Sequence, residues 1–291
     1  MEFLRPCSLA EALEHKAAYP EAVPIAGGTD VMVELNFDHR RPPQLLDLGR
    51  VDELARWRIE GERVVLGATV PYARIIGELG RELPGLAMAS RTIGSPQIRN
   101  RGTVGGNLGA ASPAGDAHPM LLACDARIEL ASVRGVRQLP AADFYLGVKR
   151  SAAAPDELIT GVLLPRADGP QQFAKVGTRN AMVIAVCSFG LDLRPGRREV
   201  GAAVGSAAPV PRYAGAAAEF AAAELPWDAP VPLVDSTLRR FGELAAAAAD
   251  PIDDVRGSAA YRKHAIGVLA RRTLNWAWTA QLNREGEAQC A

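Results

Sequence analysis

The chain of 291 residues is long enough for one large domain or two modest ones, each with a core. Hydrophobic residues make up 48% and charged residues 23%, with 33 basic side chains against 33 acidic, so no strong field draws it to nucleic acid or an anionic membrane. No run of about 18 apolar residues occurs, and MEFLRPCSLAEALEH has no apolar stretch behind Met1, so neither a membrane span nor a Sec signal is expected and the expected location is cytoplasmic.

In chain order, Ser8 to Tyr19 reads as a helix, with Ser8 as N-cap, Glu11 completing a capping box and Pro20 as the stop. Val23 to Ala26 and Gln44 to Leu48 read as strands. Arg56 to Ile59 and Arg63 to Leu66 flank Glu60-Gly61-Glu62 as a hairpin. Pro71 to Leu79 opens with a proline suited to a first helical turn. Residues 94–116 hold six glycines and two prolines, a composition that predicts a long functional loop rather than helix or strand. Pro119 to Cys124 reads as a short helix and Arg127 to Ala131 as a strand. The PRADGP stretch at 165–170 has the composition of a linker. Beyond it, Gln172 to Val176, Ile184 to Leu193 and Glu199 to Val204 read as strands, the last two joined antiparallel through Arg194-Pro-Gly-Arg197. The rest is helical and Ala-rich, ending in a long helix over Ser258 to Leu282 with Ala265, Val268, Leu269 and Trp276 as its apolar stripe.

Cys7, Cys124, Cys187 and Cys290 are far apart, and no C-x-x-C or Cys/His cluster occurs, so no metal or iron–sulfur site is expected and each cysteine reads as a small hydrophobe. Basic residues are nearly all Arg, which draws attention to the few lysines: Lys16, Lys149, Lys175 and Lys263. The chemistry-bearing features are two Gly-rich segments, Pro24-Ile-Ala-Gly-Gly-Thr-Asp30 after a strand and Thr103-Val-Gly-Gly-Asn107. Glycines let backbone amides approach a phosphate with no Cβ in the way, and a pair of such segments suits a diphosphate. Neither segment is G-x-G-x-x-G or G-K-[ST], which disfavours a Rossmann site and a nucleotide triphosphatase.

The run QIRNRGTVGGNLGAASPAGD (97–116) closely resembles the FAD loop of the flavoprotein subunits of xanthine dehydrogenase and carbon monoxide dehydrogenase, and PIAGGTD (24–30) resembles their first diphosphate loop. The resemblance runs on through DFYLGVKR, ELITGVLLP and FAKVGTRNAMVIA to the helix beginning at Tyr261. It implies an α+β fold: a two-lobed FAD-binding domain of the vanillyl-alcohol-oxidase (PCMH) type over 1–168, with lobes of about 1–55 and 56–168, then a smaller α+β C-terminal domain over 169–291. It implies that noncovalent FAD is held by Ile25, Ala26, Gly27, Gly28, Thr29 and Asp30, and by Thr103, Val104, Gly105, Gly106, Asn107 and Ser112. By the same resemblance Ile93 and Ile159 pack near the flavin and adenine portions, and Asp116 and Lys175 contact the cofactor. Read as bare residues, Ile93 and Ile159 are ordinary core, Asp116 is a helix cap and Lys175 a solvated strand residue. Many relatives carry an acidic residue where Val183 stands, which leaves Arg179 short of one partner.

The activity implied is electron transfer, with no catalytic side chain of the chain's own. The organic substrate is hydroxylated at a molybdopterin centre on a large partner subunit. Electrons cross 2Fe-2S clusters on a small subunit to FAD, and leave to NAD+ or another acceptor. The assembly implied is a dimer of heterotrimers. Two other readings are a free-standing flavin oxidase or reductase, for which the C-terminal part looks too short, and an assembly protein that has lost FAD, against which the intact Gly-Gly segments argue.

Overall fold

The computed structural model of the protein describes residues 1–180, 182–229 and 231–289; Cys290 lies outside the described residues. The chain opens with β1 (Glu2–Leu4), α1 (Leu9–Ala18), β2 (Val23–Ile25), α2 (Val31–Asn36) and β3 (Gln44–Asp47). Next come β4 (Trp57–Glu60), β5 (Arg63–Gly67), α3 (Tyr72–Glu78), α4 (Pro84–Thr92), α5 (Pro96–Arg101), α6 (Val104–Ala110) and α7 (His118–Ala123). They are followed by β6 (Arg127–Ser132), β7 (Gly135–Pro140), α8 (Ala141–Phe144), β8 (Tyr145–Gly147), β9 (Arg150–Ser151) and β10 (Leu158–Pro165). The remainder is β11 (Gln171–Val176), β12 (Cys187–Arg194), β13 (Glu199–Gly205), β14 (Arg212–Tyr213), α9 (Gly215–Glu224), α10 (Asp235–Ala247) and α11 (Ala259–Gln289). No helix of the described residues is long and apolar enough to cross a membrane.

These elements form two compact units that interleave along the chain. The first takes residues 1–78, 93–112 and 126–165, and the second takes 79–92, 113–125 and 166 onward. In the first unit β1, β3 and β2 make a small parallel sheet in that order, and β4-β5-β10-β6-β7 make an antiparallel sheet. In α1, Ser8 Oγ accepts from the Glu11 amide at 3.2 Å, and the Glu11 carboxylate reaches back to the Cys7 amide at 2.7 Å, one residue earlier than in a standard capping box. Lys16, buried at the other end, donates to the carbonyls of Pro20 and Ala22, which ties the helix to the start of β2. The β4–β5 hairpin pairs Glu60 with Arg63 around Gly61, whose φ of 58° is one that glycine takes without cost.

Residues 94–116, expected as loop, contain α5 and α6. Local caps set where the two helices start, and the buried Val104 and Leu108 help offset the glycine cost in α6. Ser95 accepts from the Ile98 amide with Pro96 in the first turn, and Thr103 accepts from the Gly106 amide.

In the second unit β11-β12-β13-β14 form an antiparallel sheet covered on one face by α9, α10 and α11. Phe189, Leu191 and Leu193 of β12 are fully buried there with Phe241, Ile266 and Trp278. The other face receives α7, every residue of which is buried. Glycine permits that approach: a Cβ on Gly201 would lie 1.8 Å from the Ala123 carbonyl oxygen. The strand expected from Ile184 begins only at Cys187; Ile184 is exposed in the irregular stretch before it. In α11 the stripe expected through Trp276 instead runs Ala265, Ile266, Leu269, Ala270, Leu274, Ala277 and Trp278, leaving Trp276 exposed. That stripe follows the helical repeat from Ala265, and Trp276 falls off it. Cys124 and Cys187 are buried as expected of small hydrophobes, whereas Cys7 is exposed.

Near the end of the first unit's α3, the Glu78 carboxylate accepts from Arg74 at 2.7 and 2.8 Å and from the Trp57 indole at 2.6 Å. The Arg74 and Trp57 bonds hold its pKa down to about 2, from an ordinary 4.5. A depressed carboxyl contributes stability above its ordinary value and loses it as pH falls through the folded one. The stability difference between wild type and Glu78→Gln, measured by urea unfolding on Trp fluorescence, is therefore expected to be constant above pH 4.5 and to vanish toward pH 2. A pH-independent difference would contradict it.

Candidate functional site

The first Gly-rich segment leaves β2 at Ile25, which is buried under the small parallel sheet with Val23 and Leu45. Ala26, Gly27 and Gly28 are half-buried, and Thr29 and Asp30 are exposed. Gly28 has φ 75°, a left-handed conformation that bends the chain into α2. Asp30 stands at the N-cap of α2 without a side-chain capping bond. The amides of Gly27, Gly28, Thr29 and Asp30 donate to no group among the described residues. Consecutive amides left free beside a left-handed residue form an anion-binding concavity.

The second segment is brought against the first within the same unit. A Cβ on Gly27 would lie 1.8 Å from the carbonyl oxygen of Arg101, and one on Gly102 would lie 3.4 Å from Thr29 Oγ1. The first of these leaves room for no side chain, so glycine at 27 is what allows the backbones so close. The second segment is not, however, a set of open amides as the sequence reading has it. Thr103 is the buried N-cap of α6: its Oγ1 accepts from the Gly106 amide at 3.0 Å and its carbonyl accepts from Asn107. The Gly105 amide donates to the Ala68 carbonyl. A capping side chain satisfies one of a helix's first amides, and at α6 a neighbouring carbonyl takes another.

What α6 offers instead is a bare surface. Glycine costs a helix about 1 kcal/mol relative to alanine, and α6 carries three. Packing accounts for Gly105, where a Cβ would fall 2.5 Å from Ala68 Cβ. It does not account for Gly106 and Gly109, both exposed. A Cβ on Gly109 would meet only Ile159 Cδ1, at 3.8 Å, and one on Gly106 only the Thr103 hydroxyl, at 3.0 Å. A helix face kept free of side chains at that cost leaves room for a flat or extended ligand to approach the backbone. Beside it the Asn107 side-chain oxygen is buried with no hydrogen-bond partner, a group that a ligand's donor would satisfy.

Val104 is buried beneath α6, and Ser112 follows the helix half-buried. Ile159 is half-buried on β10, where a register shift between Ile159 and Gly161 interrupts pairing with β6. Ile93 is half-buried, and its carbonyl accepts from Arg99. Ala68, against which Gly105 packs, and Gly102, beside Thr29, are functional-site residues that the sequence reading does not name. Gly102 lies directly before the Gly-rich run, whereas no local signal points to Ala68.

Asp116 and Lys175 belong to the second unit and meet there. Lys175 Nζ donates to Asp116 Oδ2 at 2.6 Å, to the Thr92 carbonyl at 3.0 Å and to the Val183 carbonyl at 3.1 Å. Thr92 Oγ1 also donates to Asp116 Oδ2, while Asp116 Oδ1 has no partner. Burial pushes the Asp116 carboxyl up, and this outweighs the Lys175 and Thr92 contacts that pull it down. Asp116 does not cap α7, which begins at His118 behind Ala117 with no side-chain capping bond. Nor is Lys175 a solvated residue, since only 11% of its side chain is exposed. Arg179, without an acidic neighbour at Val183, donates to the Met182 carbonyl instead.

Residues 1–167 match the family described as FAD binding domain in molybdopterin dehydrogenase, and residues 172–277 match the CO dehydrogenase flavoprotein C-terminal domain. The nicotine 6-hydroxylase medium subunit of Paenarthrobacter nicotinovorans is 32% identical over 287 residues, covering 94% of this chain and 96% of the relative. The nicotinate dehydrogenase FAD-subunit of Eubacterium barkeri is 35% identical over 202 residues, 66% of this chain and 68% of the relative. Among solved structures, carbon monoxide dehydrogenase from Hydrogenophaga pseudoflava matches with a TM-score of 0.88 at 27% identity, covering 96% of this chain and 98% of that one. Reconstituted carbon monoxide dehydrogenase from Oligotropha carboxidovorans matches with a TM-score of 0.89, also at 27% identity and with the same coverage of both chains. With its paired glycine segments, bare α6 face and near full-length relatives, the chain belongs to the FAD-binding medium subunits of the xanthine dehydrogenase/carbon monoxide dehydrogenase family of oxidoreductases.

Proposed function

We propose that the first unit holds FAD noncovalently between the amide run Gly27–Asp30 and the bare face of α6, and that the chain serves as the electron outlet of a molybdenum hydroxylase. The observation that carries the reading is the wedge of Gly27 onto Arg101 beside an α6 surface stripped of side chains at Gly106 and Gly109. Ile25 and Ala26 shape the entry to the amide run. Thr29 supplies a hydroxyl at its exposed end, and Asn107 supplies a buried acceptor. Thr103 and Val104 act through α6, one capping it and the other anchoring it. Ser112, Ile93 and Ile159 border the same unit's glycine segments. Bound there, the flavin's chemistry is to take electrons singly from the 2Fe-2S clusters of a small partner subunit and to release them in pairs to NAD+ or another acceptor. Molybdopterin chemistry belongs to a large partner subunit, and the assembly is a dimer of heterotrimers. The medium-subunit and FAD-subunit names of the relatives support this division of labour.

The purified chain mixed with FAD is expected to show flavin absorption bands that survive gel filtration, and acid precipitation is expected to release all of the flavin. A folded chain without bands would overturn the proposal. A complex reduced by its organic substrate and then mixed with NAD+ in a stopped-flow instrument tests the acceptor. Prompt NADH formation supports NAD+, and reoxidation by a quinone alone assigns another acceptor.

A further inference from the structure

Among the described residues six non-glycine residues have positive φ, and three of them lie around the glycine segments: Asp38 just after α2, Ala111 at the end of α6, and Lys149 between β8 and β9. Residues in this sparsely populated region persist only where the surroundings over-determine them, and they cluster at functional sites. Two of the three touch. The Lys149 amide donates to the Ala111 carbonyl at 3.1 Å, and both residues are left-handed, with φ of 54° and 44°. From the same residue the ammonium reaches α2, where Nζ lies 2.9 Å from Glu34 Oε1. One residue therefore ties the C-terminal end of α6 to α2 through two different groups. These two helices continue the two glycine segments, one from Asp30 and the other from Thr103.

We infer that Lys149 is a positioning residue for the cofactor: a strap that sets the spacing of α2 and α6, and through them the width of the cleft between the amide run and the bare helix face. This rests on the FAD reading above and names a residue of that site outside both glycine segments. Two features set Lys149 apart from an ordinary surface lysine. Its backbone takes a conformation that favours glycine, yet glycine would remove the ammonium. Its partner Glu34 is only 23% exposed on a helix with no fully buried residue, so the ion pair adds to the partial packing of Val31 and Leu35 in placing α2. Hydrogen bonding to Glu34, followed by the charges of Glu34 and Asp30, raises the Lys149 pKa, so the strap is cationic throughout the neutral range.

The test uses the whole 291-residue chain loaded with FAD, with the rate of flavin release and the thermal midpoint of the flavin-free protein as readouts. Lys149→Gly keeps the turn without backbone strain and removes the ammonium. Glu34→Gln removes the partner charge and gives the same reading should the first variant fold poorly. Each is expected to speed flavin release by roughly two- to fivefold, the range an exposed ion pair supplies. The double variant is expected to release flavin no faster than either single one, and Lys149→Arg to restore the wild-type rate. Added KCl should speed release from the wild type and have little effect on the variants. Folded variants that release flavin at the wild-type rate, or that change only the thermal midpoint, overturn the positioning role and leave the FAD reading standing. A wild-type chain that takes up no flavin overturns both.

Discussion

Gly106→Val is expected to fold and to lose its flavin. The glycine is exposed on α6, so the valine side chain meets no buried backbone and points over the bare helix face. The one contact in the protein itself is with Thr103 Oγ1, at 3.0 Å from the new Cβ. Its loosening costs at most a helix cap, about 1 kcal/mol. The methyl groups would occupy the space proposed for the cofactor, and the FAD dissociation constant is expected to rise at least about a hundredfold, some 2.8 kcal/mol. Gly105→Ala is the contrasting variant. Its Cβ would fall 2.5 Å from Ala68 Cβ and 2.6 Å from the Ala68 carbonyl oxygen, so it should lower the stability of the flavin-free protein by about 1–3 kcal/mol. Flavin content and the thermal midpoint of both variants, measured side by side, separate the two roles. Normal flavin content in folded Gly106→Val would remove the case for a ligand on α6.

Lys175→Ala is expected to destabilise the second unit by about 3–5 kcal/mol, the usual cost of removing one partner from a buried pair. The family resemblance alone predicts weaker flavin binding with the fold intact. The structure changes that expectation, because the ammonium has three acceptors inside the unit and the Asp116 side chain is only 8% exposed. With Lys175 gone, the carboxylate would stay buried with the Thr92 hydroxyl as its one bond. The sign of the pH effect follows. Burial already raises the Asp116 pKa, and loss of the cation raises it further, so protonation relieves the variant. A group with a raised folded pKa favours the fold more as pH falls and less as pH rises through that value. The deficit of Lys175→Ala should therefore be largest at neutral pH and shrink toward pH 4. A deficit that is flat or grows on acidification would mean that the pair is not the source. Wild-type stability with a raised flavin dissociation constant would return Lys175 to a direct role on the cofactor.

Several elements were legible because their signals are local. Ser8 and Glu11 announce a helix start, Glu60-Gly61-Glu62 a hairpin and Arg194-Pro-Gly-Arg197 the β12–β13 turn; each depends on residues within a few positions of one another. Glycine content alone points away from helix at α5 and α6, because it takes no account of the caps at Ser95 and Thr103 or of the burial of Val104 and Leu108, which only packing supplies. In α11 two tryptophans two residues apart cannot share a helix face, and only the register of packing against β12 decides that Trp278 is buried and Trp276 exposed.

By itself the sequence determined the family and the two glycine-bearing segments, since backbone access to a ligand requires residues without side chains and their pattern survives in the linear order. Tertiary structure alone decided that Gly27 meets Arg101, that the Gly105 amide of α6 is taken by the Ala68 carbonyl, that Lys149 reaches Glu34 across the fold and that Lys175 is buried against Asp116. Such relations join residues tens of positions apart, and their geometry is set by how helices and sheets pack, which no local spacing encodes.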